Sequence, residues 1–179
     1  MASAFGHALV GYTLGKTMTP IKPDWKFYFL IIALPAMPDL DVISFNFGIP
    51  YEHWLGHRGV SHSIAFALLF AMLVKLVFYS KIEFKSRTAW KLIGLFFLII
   101  ASHGVLDAMT TGGRGVGFFI PFTDERYFLP WRMIRVSPMS AARFFSEWGL
   151  KVIKSELVWI GIPCAIILTT NYIYKRLKA

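Results

Sequence analysis

Hydrophobic residues are concentrated in four stretches of the chain, separated by shorter polar segments. Three of them, residues 60–79, 89–109 and 157–174, are long and almost uncharged in their interiors. A helix needs about 20 predominantly apolar residues to cross the hydrocarbon core of a bilayer. The sequence therefore predicts three transmembrane helices, at residues 60–79, 89–109 and 152–174.

The remaining stretch, residues 25–37, is too short to cross a bilayer alone. Residues 3–18 precede it and are typical of a helix of about 24 Å at 1.5 Å per residue. Pro20 and Pro23 would turn the chain between the two. We expect residues 1–37 to form a helical hairpin that enters the membrane and returns; the alternative is a hairpin lying on the membrane surface. The predicted fold is an all-α integral membrane bundle in one domain, residues 1–179.

The composition agrees with a membrane protein and excludes several other classes. The chain has 179 residues, of which 56% are hydrophobic and only 16% charged, against about 25% charged in soluble domains. This argues against disorder, a collagen-like chain and an ordinary cytosolic domain, and the single cysteine, Cys164, excludes a disulfide scaffold. The net charge is +9, but the chain has too few polar residues to form the polar surface of a nucleic-acid interface. Residues 1–20 lack the basic start of a cleavable signal peptide.

Basic residues predict the orientation of the helices. They cluster at the hairpin tip, between the second and third stretches, and after the last stretch, and such clusters mark the cytoplasmic side. The clusters are Lys16, Lys22 and Lys26; Lys81, Lys85, Arg87 and Lys91; and Lys175, Arg176 and Lys178. Residues 38–59 and 110–150 then face outward. The arginines of residues 110–150 alternate with aromatic residues, which is typical of the headgroup layer. They form either an aromatic belt with extended arginines or a rim that gathers a phosphate-bearing lipid.

Histidine and aspartate side chains lie near the outward ends of the predicted helices. An ionised side chain at the centre of a membrane helix costs roughly 2.5–3.5 kcal/mol. A bound divalent cation would offset several such groups at once, since carboxylates and neutral imidazoles are both good ligands. The residues concerned are His7, His53, His57, His62, His103, Asp39, Asp41 and Asp107.

Two spacings fit metal ligands but also have structural interpretations. His103 and Asp107 are four residues apart and share one helix face, as metal ligands or as a hydrogen-bonded pair. Asp39 and Asp41 follow a proline-broken helix, where one would ligate and the other orient a histidine. The alternative there is a helix cap followed by a turn.

The string from His57 to Ser63, with the letters HRGVSHS, is more specific. It fits a loop ligand, His57, followed by a first-turn ligand, His62, with Arg58 placed to bind an anionic oxygen. His7 alone is equally typical of a packing residue, and His53 is ambiguous between a ligand and an interface loop. Arg114, in a glycine-rich segment after Asp107, is a second candidate for binding phosphate.

One ordered set of residues resembles the bacterial inner-membrane-associated metal-dependent hydrolases, a family also described as LexA-binding. The set consists of His7, PDLD at residues 38–41, HRGVSHS at residues 57–63 and HGVLD at residues 103–107. The resemblance covers residues 1–125. It implies a distant similarity to zinc-dependent phospholipase C and a helical core with one or two divalent ions, zinc or alternatively manganese. The implied ligands, with Asp41 as a further candidate, are His7, Asp39, His57, His62, His103 and Asp107.

These observations predict an enzyme of the bacterial cytoplasmic membrane. It would hydrolyse a phosphoester or pyrophosphate bond of a membrane lipid at the outer, periplasmic face. Asp39 or Asp41 would accept a proton from water, while Arg58 and Arg114 would hold phosphate oxygens. Membrane lipid and the bilayer are the expected partners, and nucleic acid is not. The alternative is a non-catalytic regulator or metal-binding membrane protein; ion conduction is disfavoured because the cytoplasmic halves of the spans are apolar apart from Lys75.

Overall fold

The regular secondary structure of the protein is helical. The structure, a computed structural model, describes residues 1–138 and 140–178. Within these residues the chain has no β-strand, only two isolated bridges. The helices are α1 (Ala4–Met18), α2 (Trp25–Ala33), a 3-10 helix (Leu34–Phe47), a 3-10 turn (Val60–His62), α3 (Ile64–Phe78), α4 (Arg87–Ala108), α5 (Ala141–Phe144), α6 (Glu147–Glu156), a π-helical turn (Leu157–Gly161) and α7 (Ile162–Lys178).

Helices α1 and α2 form a tight hairpin because glycines line the contact between them. A Cβ atom built on Gly11 would lie 2.2 Å from the backbone oxygen of Ile31, and one on Gly15 would lie 2.5 Å from the Ile31 side chain. Small residues spaced four apart let membrane helices approach closely. Asp24 begins α2 by accepting a hydrogen bond from the Phe27 N–H at 2.9 Å.

Among the described residues, three helical segments are long and apolar enough to cross a membrane: Trp25–Phe47, Arg87–Ala108 and Glu147–Lys178. The predicted membrane helical bundle is therefore confirmed, although its segments are divided differently. The second arm of the hairpin continues past Pro35, because proline fits the first positions of a helical segment, where no N–H partner is needed. In contrast, α3 begins only at Ile64, where Ser63 caps it, and has 15 residues.

The apolar core and the polar cluster occupy different parts of the bundle. Phe27, Ile31, Ala71, Leu92 and Phe96 belong to a buried core between α2, α3 and α4. Histidines and aspartates collect at the opposite ends of these helices from the lysine-rich turns. Residues 109–138 form an irregular segment beside this polar end, joined by the bridges between Thr110 and Ile134 and between Val116 and Tyr127.

Candidate metal centre

Four separate elements bring histidine and aspartate side chains together at one end of the bundle. His7 lies in the first turns of α1, Asp39 in the 3-10 helix after α2, His62 in the turn before α3, and His103 and Asp107 at the end of α4. One donor atom each from Asp39, His62, His103 and Asp107 lies within 4.8 Å of the other three. We call these four residues the central cluster.

Hydrogen bonds fix the protonation of two imidazoles in the central cluster. Nδ1 of His103 lies 2.6 Å from the carbonyl oxygen of Pro35, which can only accept, so Nδ1 carries the proton. Nδ1 of His62 lies 2.9 Å from Ser61 Oγ, whose own proton goes to Asp41 at 2.5 Å. In their neutral forms, both imidazoles therefore present an unprotonated Nε2 to the cluster.

These two Nε2 atoms face each other at 3.0 Å, and each is an acceptor when both imidazoles are neutral. Oδ1 of Asp39 lies 3.3 Å from Nε2 of His103 and 3.8 Å from that of His62. Oδ2 of Asp107 lies 3.7–3.8 Å from the same two nitrogens. Four electron-pair donors thus converge without a proton among them, and ligands about 2.0–2.1 Å from a tetrahedral zinc ion would be separated by about 3.3 Å. The donor set therefore fits a divalent metal.

Asp41 orients two histidines through hydrogen bonds. Its Oδ1 accepts from Nδ1 of His57 at 2.6 Å, which leaves Nε2 of His57 free as a ligand. Its Oδ2 lies 3.2 Å from Nδ1 of His62 and accepts the backbone N–H of Arg58 at 3.0 Å. Asp41, His57 and His62 also form a second group with metal-ligand spacing, which shares His62 with the central cluster. Carboxylates that orient ligating histidines in this way are a common outer layer of metal sites.

His7 lies at the edge of the central cluster, fully buried. Its ring is stacked on His103 at a centroid distance of 3.8 Å, and its Nε2 lies 3.4 Å from Oδ1 of Asp107. Within the part of the chain that the structure describes, neither ring nitrogen of His7 has a hydrogen-bond partner, and the same is true of Oδ1 of Asp39. Buried polar atoms without partners are costly, and a metal ion at this position would bind several of them at once.

The Arg58 guanidinium, which we predicted to bind an anionic substrate oxygen, contacts three protein groups. Nε of Arg58 lies 3.0 Å from Oδ2 of Asp107, Nη1 donates to the Gly112 carbonyl at 3.1 Å, and Nη2 donates to Thr110 Oγ1 at 3.2 Å. The residue has a left-handed backbone, with φ at 63°. This backbone conformation turns the side chain into the protein, so that it supports a candidate metal ligand.

Arg114 and His53 lie outside the central cluster. The Arg114 side chain is 63% exposed, forms an ion pair with Glu52, and lies over the ring of Tyr51. His53 is exposed, and its Nδ1 accepts from the backbone N–H of Leu55 at 3.2 Å. Of the two predicted phosphate-binding arginines, Arg114 is therefore the one whose side chain reaches the surface.

Tyr51 and Arg126 hold the loop that carries His57. The Tyr51 ring contacts the edge of His57 at a centroid distance of 5.3 Å. Arg126 donates to the backbone oxygens of His57 and Tyr51 at 2.9 and 3.0 Å. Burial raises the pKa of Tyr51, with Arg58 opposing the shift, and burial lowers the pKa of Arg126. Tyr51 therefore stays a neutral hydrogen-bonding group beside His57.

Two contacts of buried acids with the start of the chain were not predicted from the sequence. The Ala2 N–H donates to Oδ1 of Asp107 at 2.8 Å, and Ser3 donates twice to the buried carboxylate of Glu156. Glu156 could have been found by the cost argument applied to the other acids, because it lies directly before the uncharged stretch of residues 157–174.

Comparisons with known proteins agree with a membrane location. The chain is 37% identical over 165 residues to the inner membrane protein YbcI of Escherichia coli (strain K12), covering 91% of this chain and 92% of the relative. No solved structure matches it. The family model described as YdjM inner membrane protein matches residues 1–178. With this match across both the His–Asp cluster and the C-terminal helices, the chain belongs to the YdjM inner membrane protein family.

Proposed function

We propose that this inner membrane protein is a metal-dependent hydrolase that cleaves a phosphoester or pyrophosphate bond of a membrane lipid. One observation carries the proposal: the unprotonated Nε2 atoms of His62 and His103 face each other at 3.0 Å, between two carboxylates. When both imidazoles are neutral, the electron pairs of these donor atoms repel one another, and a cation between them makes the arrangement favourable.

Charge balance supports a divalent ion. The carboxylates of Asp39, Asp41 and Asp107 outnumber the two cations beside them, the guanidinium of Arg58 and the N-terminal ammonium 3.8 Å from Asp107. The group is therefore negatively charged when the imidazoles are neutral, and a divalent ion would offset that charge. Zinc is the first candidate because nitrogen and carboxylate ligands together suit it, with manganese as the alternative.

The proposed ligands are the central cluster, with His7 and His57 beside it. When bound, a divalent ion would supply Lewis-acid polarisation of a phosphoryl oxygen and would lower the pKa of coordinated water. Asp39 is the most accessible member, with a side chain 13% exposed, while His62, His103 and Asp107 are fully covered. A substrate would therefore approach at Asp39, and this carboxylate is the proposed proton acceptor.

Other side chains of this chain orient and bind. Asp41 holds His57 and His62 through their Nδ1 atoms. Arg58 holds Asp107, so we now propose it as a positioning residue. Arg114 remains the candidate for holding phosphate oxygens, because its side chain is exposed. It is also close to the cluster, since the preceding residue, Gly113, packs against the Arg58 guanidinium.

The position of the cluster in the bundle supports the proposal of a lipid substrate. The cluster lies at the helix ends opposite the lysine-rich turns, which the positive-inside rule assigns to the cytoplasm. The segment beside it exposes Phe122, Trp131 and Met133 among its arginines. This mixture suits the headgroup layer of the outer leaflet, where the scissile bond of a phospholipid or lipid pyrophosphate lies.

A non-catalytic metal-binding protein, for instance a regulator as the LexA-binding description suggests, is the second candidate. The burial of His62, His103 and Asp107 favours it, because structural zinc sites are closed by four protein ligands, whereas catalytic sites keep one position open. The two candidates differ in whether a coordination position of the metal beside Asp39 stays open for substrate. A measurement of hydrolytic activity distinguishes them.

The experiment measures metal content and phosphate release in the same preparations. Protein purified in detergent after metal-replete growth is analysed for bound metal as wild type, His103→Ala and Asp39→Ala. His53→Ala and Asp124→Ala serve as matched controls, because both residues are exposed outside the cluster. We expect metal in the wild type and the controls, less in the two cluster variants, and phosphate release from lipid only where metal is retained. Metal-free wild type would refute the metal centre, and metal without phosphate release from any lipid tested would favour the second candidate.

A further inference from the structure

Glu156 is a buried acid within a segment that is otherwise suited to cross a membrane. It ends α6, directly before the π-helical turn Leu157–Gly161, and lies inside the candidate span Glu147–Lys178. The residue is 7% exposed. Acids in membrane spans are rare and mark functional positions because they are expensive to insert.

The Glu156 carboxylate binds the start of α1. Oε1 accepts the backbone N–H of Ser3 at 2.5 Å, and Oε2 accepts the Ser3 hydroxyl at 2.5 Å. Ser3 is the N-cap of α1, so the negative charge also lies at the favourable end of the helix dipole. Gly6 makes room for it, since a Cβ atom there would lie 3.2 Å from Oε2.

The residue before Ser3 contacts the metal centre directly. The Ala2 N–H donates to Oδ1 of Asp107 at 2.8 Å, and both residues are fully buried. Ala2 and Ser3 are consecutive, so their N–H groups are fixed by a single short piece of backbone. One of these groups points to Glu156 and the other to Asp107.

We propose that Glu156 is a positioning residue for Asp107, acting through Ser3 and Ala2. It holds the backbone so that the Ala2 N–H binds Oδ1 of Asp107, which leaves Oδ2 directed toward His62 and His103. The C-terminal membrane segment thereby contributes to the metal centre without supplying a ligand. This inference rests on the proposed metal centre and adds a residue to it.

The test is a cobalt(II) titration of purified apoprotein in detergent. Glu156→Gln is compared with Glu147→Gln, which makes the same chemical change at an exposed position of the same helix. The glutamine amide replaces one accepting oxygen by a donor, so one Ser3 contact is lost. We expect cobalt affinity to fall about tenfold in Glu156→Gln, as for other outer residues of metal sites, with a changed d–d absorption spectrum. Glu147→Gln should match the wild type in both measurements.

Variants of Ser3 test the same contact with a smaller change, in case Glu156→Gln does not fold. Ser3→Ala removes the hydroxyl contact, whereas Ser3→Thr keeps both a hydroxyl and a good N-cap. We expect weaker cobalt binding and an altered spectrum in Ser3→Ala, and wild-type behaviour in Ser3→Thr.

The outcomes separate this inference from the proposed function. Wild type that binds no cobalt would refute the metal centre itself. If wild type binds cobalt while Glu156→Gln and Ser3→Ala match it in affinity and spectrum, the positioning role is overturned and the metal centre stands. A loss of thermal stability in these variants without a change in the cobalt spectrum would likewise mean that Glu156 only fastens two helices.

Discussion

The guanidinium Nε of Arg58 lies 3.0 Å from Oδ2 of Asp107, and both side chains are almost completely buried. Arg58 lies in the loop before the 3-10 turn Val60–His62, whereas Asp107 lies in the last turn of α4. The backbone N–H of Arg58 also binds Asp41, so Arg58 joins the two carboxylates that lie on either side of His62. A buried cation in this position balances negative charge that the membrane environment would otherwise disfavour.

Replacement of Arg58 should therefore destabilise the protein strongly. Arg58→Gln leaves the Asp107 carboxylate without its buried partner, which typically costs about 3–5 kcal/mol. Arg58→Lys should cost less, because it keeps the charge but loses the planar contacts to Gly112 and Thr110. Unfolding in detergent, followed by circular dichroism, measures both. Arg135→Gln, an exposed arginine, is the control, and equal stability of Arg58→Gln and Arg135→Gln would contradict the role of the ion pair.

Asp41→Asn should weaken metal binding without removing a ligand of the central cluster. The carboxylate serves the Nδ1 atoms of His57 and His62, and an amide cannot accept both while keeping the Arg58 N–H. Loss of such an outer carboxylate costs about 10- to 100-fold in metal affinity. Competition with a chromophoric chelator gives the affinity, with Asp124→Asn as an exposed control. Unchanged affinity in Asp41→Asn would show that the histidines orient themselves.

Substitution of two glycines with left-handed backbones distinguishes the cost of backbone strain from an effect on the metal site. Gly113 has φ at 88°, and a Cβ atom there would lie 2.3 Å from Nη1 of Arg58. Gly48 has φ at 71°, and no atom of the described residues lies within 4 Å of the corresponding Cβ position. Gly48→Ala should cost only the strain, about 1–2 kcal/mol, whereas Gly113→Ala should also displace Arg58 and lower metal affinity. Equal metal affinity in the two variants would mean that the loop does not hold Arg58.

The distribution of polar residues made part of the site predictable from sequence. His103 and Asp107 share one face at the end of α4, and the structure brings them together with residues from three other elements. Helical spacing within one element and the cost of burying charge are enough to predict that these histidines and aspartates lie together at one membrane face. Neither consideration specifies which nitrogen of an imidazole faces inward, because that depends on acceptors such as the Pro35 carbonyl, 68 residues away from His103.

Arg58 and Glu156 show what the sequence could not provide. A cation next to His57 suggests a binding role, but its direction depends on a left-handed backbone that only the folded loop requires. Glu156 meets Ser3 across 153 residues, so no local spacing connects them. The second hairpin arm is also longer than the predicted residues 25–37, since Pro35 and Pro38 lie within a 3-10 helix that continues to Phe47.

The hairpin contact can be tested with two glycines inside helices. A Cβ atom on Gly11 would lie 2.2 Å from the Ile31 carbonyl oxygen, and this backbone atom can move only if α1 and α2 separate. Gly94 lies within α4, and a Cβ atom there would have no neighbour within 4 Å in the described part of the chain. Gly11→Ala should therefore destabilise the protein, by about 1–3 kcal/mol or more, while Gly94→Ala should be neutral or stabilising by up to about 1 kcal/mol. Thermal unfolding compares them, and an equal effect of both would argue against close packing of the hairpin.

The orientation of the metal centre is open to a labelling experiment in intact bacterial cells. Single cysteines are introduced at Lys85 and at Asp124 in a Cys164→Ala background, because both positions are exposed and lie at opposite ends of the bundle. The lysine-rich turn near Lys85 is cytoplasmic by the positive-inside rule. A membrane-impermeant maleimide should label the cysteine at position 124 in intact cells and the one at position 85 only after permeabilisation. The reverse pattern would put the cluster on the cytoplasmic side and would exclude a lipid substrate of the outer leaflet.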